Sequence, residues 1–112
     1  MEPPILVQEI TELHADMCSG LADPKRILIL YALTEQPLKV GDLASQIGIS
    51  QPAASRHLKI LRDRGLVRAE RQGASVEYQL ADLRLIEALD MLRAVLRDRI
   101  QRRANLIEDY LK

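Results

Sequence analysis

The stretch "ISQPAASRHLKILRDRGLV", residues 49–67, carries Gln51, Ser55, Arg56, Lys59 and Arg62 on what its spacing predicts to be one helix. Each of these residue types has a use on a nucleic acid. A Gln amide pairs bidentately with adenine, a Ser hydroxyl donates or accepts, and Arg and Lys reach guanine or phosphate. At about 100° per residue, Ser55, Arg56, Lys59 and Arg62 share an arc of roughly 120°, with Gln51 at its N-terminal edge. Ala54, Leu58 and Leu61 gather within about 60° on another side, the side suited to a core. Ser50 stands at the N-cap, where the free N–H groups of a helix start add donors for phosphate. His57, at the edge of the apolar face, has two readings: a phosphate or base contact, or a hydrogen bond inside the helix pair.

A charged helix face is often no more than a solvated surface, so the neighbouring elements must decide. "QPLKVGDLASQIGIS" predicts a short helix over residues 40–47 with Val40, Leu43, Ala44 and Ile47 inward. Gly48 then allows a tight turn into the Ser50-capped helix, which has Pro52 in its first turn and closes at Gly65. Two short helices joined in this way form a helix-turn-helix, here at about 40–64. "LVRAERQGASVEYQL" changes to a period of two, with Gly73 between the alternating runs, and predicts a β-hairpin at about 66–80. Arg68, Arg71, Gln72 and Gly73 make that hairpin a wing able to reach a minor groove or the phosphate backbone. The three elements in this order point to double-stranded DNA.

Flanking helices complete the unit. One runs from residue 5 or 7 to 19 and ends near Gly20. Another starts with Asp23 as N-cap and Pro24 at its first position, and repeats Ile27, Leu30, Tyr31 and Leu33 at helical spacing. Residues 82–112 return to helical spacing at Leu85, Leu89, Leu92, Leu96, Ile100, Ala104, Ile107 and Leu111. Such a helix is about 45 Å long, too long for so small a domain to bury its apolar stripe, and a second copy is the simplest cover. Residues 1–112 therefore read as one domain, mainly α with a small β-hairpin, dimerising through helices at about 5–19 and 82–111.

The 112 residues are 47% hydrophobic and 29% charged, enough for a core and a solvated surface, which excludes a disordered chain. Net charge is zero but unevenly spread. Residues 1–24 hold Glu2, Glu9, Glu12, Asp16 and Asp23 with no Lys or Arg. Residues 51–80 set Arg56, Lys59, Arg62, Arg64, Arg68 and Arg71 against Asp63, Glu70 and Glu77, so a neutral chain can present one positive face. No apolar run approaches the roughly 18 residues of a membrane span, and the acidic N-terminus does not read as a secretion signal. A cytoplasmic protein without membrane contact is expected. A single cysteine, Cys18, fits a reducing compartment.

"ISQPAASRHLKILRDRGLVRAERQGASVEYQL" resembles the DNA-binding half of the ArsR/SmtB family of bacterial winged-helix repressors, and "LADPKRILILYAL" is similar to that family's second helix. The resemblance covers about residues 21–80. It implies a winged helix-turn-helix homodimer on an inverted-repeat operator, released when an inducer binds. Carried over by position, Gln51, Ser55, Arg56 and His57 are the recognition-helix candidates, and Arg71, Gln72 and Gly73 the wing candidates. Arsenic-sensing members place two cysteines where this chain has Lys39 and Gly41, and zinc-sensing members use aspartate and histidine on a last helix that here has no histidine. What remains is His14 and Cys18, four residues apart on the first helix. With ligands from a partner subunit, or Glu108 and Asp109, they could hold a zinc-like ion. The plainer expectation is a small apolar Cys18 at the dimer interface, a surface His14 and no cofactor.

The leading expectation is thus a dimeric, sequence-specific DNA-binding repressor whose inducer the sequence does not name. A winged-helix module that binds another protein, or a thiol- or metal-responsive regulator using Cys18 and His14, is the alternative. An enzyme fits worst: no Ser-His-Asp or Cys-His order and no phosphate-cradling loop is present.

Overall fold

The computed structural model describes residues 3–111; Glu2 and Lys112, counted above in the acidic segment and the last helix, lie outside them. The first helical run is α1 (Pro3–Glu9), a π-helical turn (Ile10–His14) and α2 (Ala15–Ser19). Sequence periodicity predicts a plain α-helix starting at residue 5 or 7; the chain is helical from Pro3 and widens where Ala15 N–H reaches back five residues to Ile10 O. Neither Pro nor Gly marks that turn, so a period of 3.6 gives no sign of it. α3 (Pro24–Ala32) begins as its sequence dictates: the Asp23 carboxylate accepts from Lys25 N–H at 2.8 Å, and Pro24 occupies the first turn.

A two-residue strand, β1 (Leu38–Lys39), leads straight into α4 (Val40–Ile47). Two residues are too few to show alternation, and this strand was not legible from the sequence. Lys39, at the N-cap of α4, contributes no side-chain bond, and Asp42 stands in the first turn. Gly48 takes φ +79°, a left-handed conformation that L side chains rarely adopt, and ends α4 with its N–H on Ala44 O. The chain then enters α5 (Gln51–Asp63), where Ser50 Oγ accepts from Ala53 N–H at 3.2 Å. β2 (Val67–Gln72) and β3 (Ser75–Leu80) pair antiparallel from Val67 opposite Leu80 to Gln72 opposite Ser75, and β1 adds outside β3 to give the order β1-β3-β2. Gly73 opens the two-residue turn with φ +63°, as a glycine-first hairpin turn requires.

α3, α4, α5 and the sheet close on one core of Ile29, Leu30, Leu33, Leu38, Leu43, Leu58, Leu61, Leu66, Val67 and Leu80, with Ile86 and Leu89 added from the last helix. Ala54, Leu58 and Leu61 are wholly buried, as the angular reading of α5 requires. In α3 the centre of the buried face is Ile29 and Leu30, with Ile27 and Tyr31 at its edge. The result is a helix-turn-helix followed by a wing.

α6 (Arg84–Leu111) starts two residues later than periodicity suggests, because Asp82 caps it from outside. The Asp82 carboxylate accepts from Arg84 N–H at 2.9 Å and pairs with the Arg84 guanidinium at 2.7 Å. The Arg84 side chain, and then its backbone N–H, hold the Asp82 carboxyl at about 2. In the unfolded chain an Asp titrates near roughly 3.9, so folded Asp82 binds its proton less readily, and the stability it contributes is complete above about pH 4 and lost as pH falls toward 2. Thermal melts of Asp82→Asn across this window should fall less steeply with acid than those of the parent, from a lower value at neutral pH. Parallel curves contradict the cap.

The first turns of α6 are tied to α3. Tyr31 Oη donates to Asp90 Oδ1 at 2.6 Å, while Arg93 lies 3.7 Å from Asp90 and 5.3 Å over the Tyr31 ring. Beyond Leu89 the apolar residues of α6 are uncovered: Leu92, Leu96, Ile100 and Ile107 are all more than half exposed. The first run likewise exposes Leu6, Ile10, Leu13 and Met17.

Candidate nucleic-acid interface

α5 presents its two faces as chemistry demands. Its core residues hold it against α3 and α4, and Gln51, Ser55, Arg56, Lys59 and Arg62 are exposed. Ser50 is occupied as the cap, its hydroxyl oxygen held by Ala53 N–H. Lys59 is not a free cation: its Nζ lies 2.9 Å from Asp63 Oδ2, and the Lys59 ammonium holds the Asp63 carboxyl below its usual range. Both partners are at least half exposed, so phosphate can compete for that ammonium at little cost. Among the described residues, Arg56, Arg62, Arg68 and Arg71 have no carboxylate within ion-pair distance.

The wing comes to the N-terminal end of this face. A cleft of about 460 Å³ is lined by Gln51 of α5, Ser75, Val76 and Tyr78 of β3, and Lys39 and Gly41 at the start of α4. Gln51 and the wing, more than twenty residues apart in sequence, thus border one concavity. The two wing arginines are not brought together. Val67, buried toward the core, shares its face of β2 with Arg71, whereas Arg68 sits on the opposite face with Glu70 and Gln72. Glu70 stands directly across from Glu77, so the middle of the hairpin is acidic and its positive charge is at Arg71 near the tip and Arg68 near the base.

His57 is half-buried, and its Nδ1 is 3.5 Å from the guanidinium of Arg26 on α3. Sequence reasoning missed Arg26. Only its place on an amphipathic helix was legible, and nothing in "DPKR" says which distant groups its guanidinium meets. Lys39, which lines the cleft, carries in the sequence only the sign that it stands where arsenic-sensing members place a cysteine.

His14 and Cys18 are both exposed in the single chain. Among the described residues no three His, Cys, Asp or Glu side chains come together as a donor set for a metal. No helix among the described residues is long and apolar enough to cross a membrane.

The pattern of the helix-turn-helix is shared with known proteins. The model of the ArsR family of bacterial regulatory proteins matches residues 23–69. The chain is 43% identical over 76 residues to the HTH-type transcriptional regulator NmtR of Mycobacterium tuberculosis, covering 68% of this chain and 63% of that one. It therefore spans a little under two thirds of the length of this relative. To the nodulation protein NolR of Rhizobium meliloti it is 36% identical over 90 residues, 80% of this chain and 74% of the relative. In fold it is similar to a homodimeric winged helix-turn-helix DNA-binding domain from Mycobacterium bovis, with a TM-score of 0.75 over 90% of this chain and 92% of that one at 23% identity. On the match over the helix-turn-helix and the relatedness across most of NolR, the chain, a winged helix-turn-helix, belongs to the ArsR family of bacterial regulatory proteins.

Proposed function

We propose that the protein is a homodimeric, sequence-specific repressor of transcription that binds an inverted-repeat DNA operator and leaves it in response to a signal. The observation that carries this reading is the exposed polar face of α5, set over a closed core with the wing beside its N-terminal end. Gln51, Ser55 and Arg56 read base edges in the major groove. Lys59, Arg62, Arg68 and Arg71 contact phosphate, with Gln72 and Gly73 at the wing tip. The uncovered apolar stripe on α6 and that on the first helical run support a second copy as the partner that covers them. Two-fold symmetry of the protein then requires two-fold symmetry of the site. The protein acts as a regulator in the cytoplasm, not as an enzyme, and needs no metal to bind DNA.

The test is selection of duplexes from a random-sequence pool, followed by fluorescence anisotropy of the winning duplex against random competitor. A selected palindromic site bound at least about 10³-fold more tightly than random DNA is expected. Affinity should fall with salt along a log–log slope of about −0.9 per phosphate contact, and chelator should leave it unchanged. Enrichment of no sequence sinks the reading.

A further inference from the structure

The contacts around Arg26 reach beyond the DNA-facing surface. Its side chain is only 13% exposed. Nε donates to Gly20 O at 2.7 Å and one terminal nitrogen to Ser19 O at 3.3 Å, the last carbonyls of the first helical run. The other terminal nitrogen lies 3.5 Å from His57 Nδ1 and 4.0 Å from Asp23. A guanidinium only donates, so in this contact His57 Nδ1 is the atom placed to accept. A cation at a helix carboxyl end is favourable, and a planar fork can hold two carbonyls and a ring nitrogen at fixed angles where an ammonium cannot. A second tie runs parallel to the first: Arg64, at the end of α5, lies 3.4 Å from Asp16 of α2.

We propose that Arg26 is a positioning residue that joins the end of the first helical run to the recognition helix through His57, so that packing of that run sets where the DNA-reading face points. This deepens the repressor reading and rests on it. His57 adjoins Arg56 on α5 and is two residues from Ser55 and Lys59. A site whose groups must sit within about 0.5 Å of productive geometry loses discrimination when such a joint is cut. The first run also bears Leu6, Ile10, Leu13 and Met17 on its surface, so whatever covers them gains a path to α5. His57 serves here as the acceptor of this joint and not as a DNA contact.

The experiment compares Arg26→Met, His57→Leu, the double variant and His57→Asn, whose amide oxygen can stand near the position of Nδ1. Each is measured on the duplex selected by the parent and on random duplex, with amide hydrogen exchange on the free protein. Expected are a loss of about tenfold or more on the selected duplex for Arg26→Met and His57→Leu and little change on random DNA. The salt slope should not change, the double variant should be no worse than either single one, and His57→Asn should keep most of the affinity. A salt slope reduced by about one in His57→Leu, or additive losses in the double variant, overturns the proposal by making His57 a DNA contact. Exchange should rise in α5 when Arg26 is replaced and in α2 when His57 is replaced; unchanged exchange in both overturns the joint even if the parent selects no duplex and the repressor reading fails.

Discussion

Replacing Leu92 and Leu96 together with Asp should give a folded monomer that binds the selected operator about 10²- to 10⁴-fold more weakly than the parent. The two side chains are 56% and 54% exposed in the single chain, one helical turn apart, so neither supports the core that Leu89 closes. The substitutions therefore act on assembly and not on folding. In a dimer each recognition helix raises the effective concentration of the other at the second half-site, and removing that linkage costs the stated factor while every protein–DNA contact stays the same. Sedimentation, thermal melting and anisotropy on one preparation separate the possibilities. A variant that still sediments as a dimer moves the interface away from this stripe, and one that no longer melts cooperatively gives α6 a folding role that its exposure denies.

Arg56→Ala should cost the dimer discrimination. A bidentate contact to a base is worth roughly 1–3 kcal/mol, and a two-fold complex makes it twice, so the selected site should lose about 2–6 kcal/mol while random DNA loses little. Arg62→Ala supplies the contrast. Nearly two turns further along α5, it is assigned to phosphate and should weaken selected and random duplex alike, with the salt slope smaller by about one for each phosphate that is no longer neutralised. Equal losses on both duplexes for Arg56→Ala would make it a phosphate ligand and leave Gln51 and Ser55 as the base readers.

The bounds of α5 and the residues that share its exposed face were legible because their signals are local. Ser50 caps α5, Pro52 suits its first turn because it needs no N–H partner, and Gly65 ends it, all within a few residues, and the 3.6 period sorts Leu58 and Leu61 from Arg56 and Arg62 whatever the helix packs against. The wing was legible for the same reason, since Gly73 and the alternation around it specify a tight hairpin. Where local signals were weak the reading failed. β1 is two residues long and exists only because β3 offers it a partner, and the π-helical turn in the first run has no composition of its own.

By itself the sequence determined the order of the longer elements, the Asp23 and Ser50 caps, and the residues sharing each face of α5, because periodicity and capping are interactions among near neighbours. Only the tertiary structure decided which groups meet across the chain. His57 comes to Arg26 across 31 residues, Tyr31 to Asp90 across 59, and Gln51 to the wing strand β3. It also decided which face of the hairpin meets the core, at Val67, and that α6 leaves its apolar stripe uncovered past Leu89. These facts depend on how helices and strands orient against a shared core, a long-range packing outcome that no local pattern encodes.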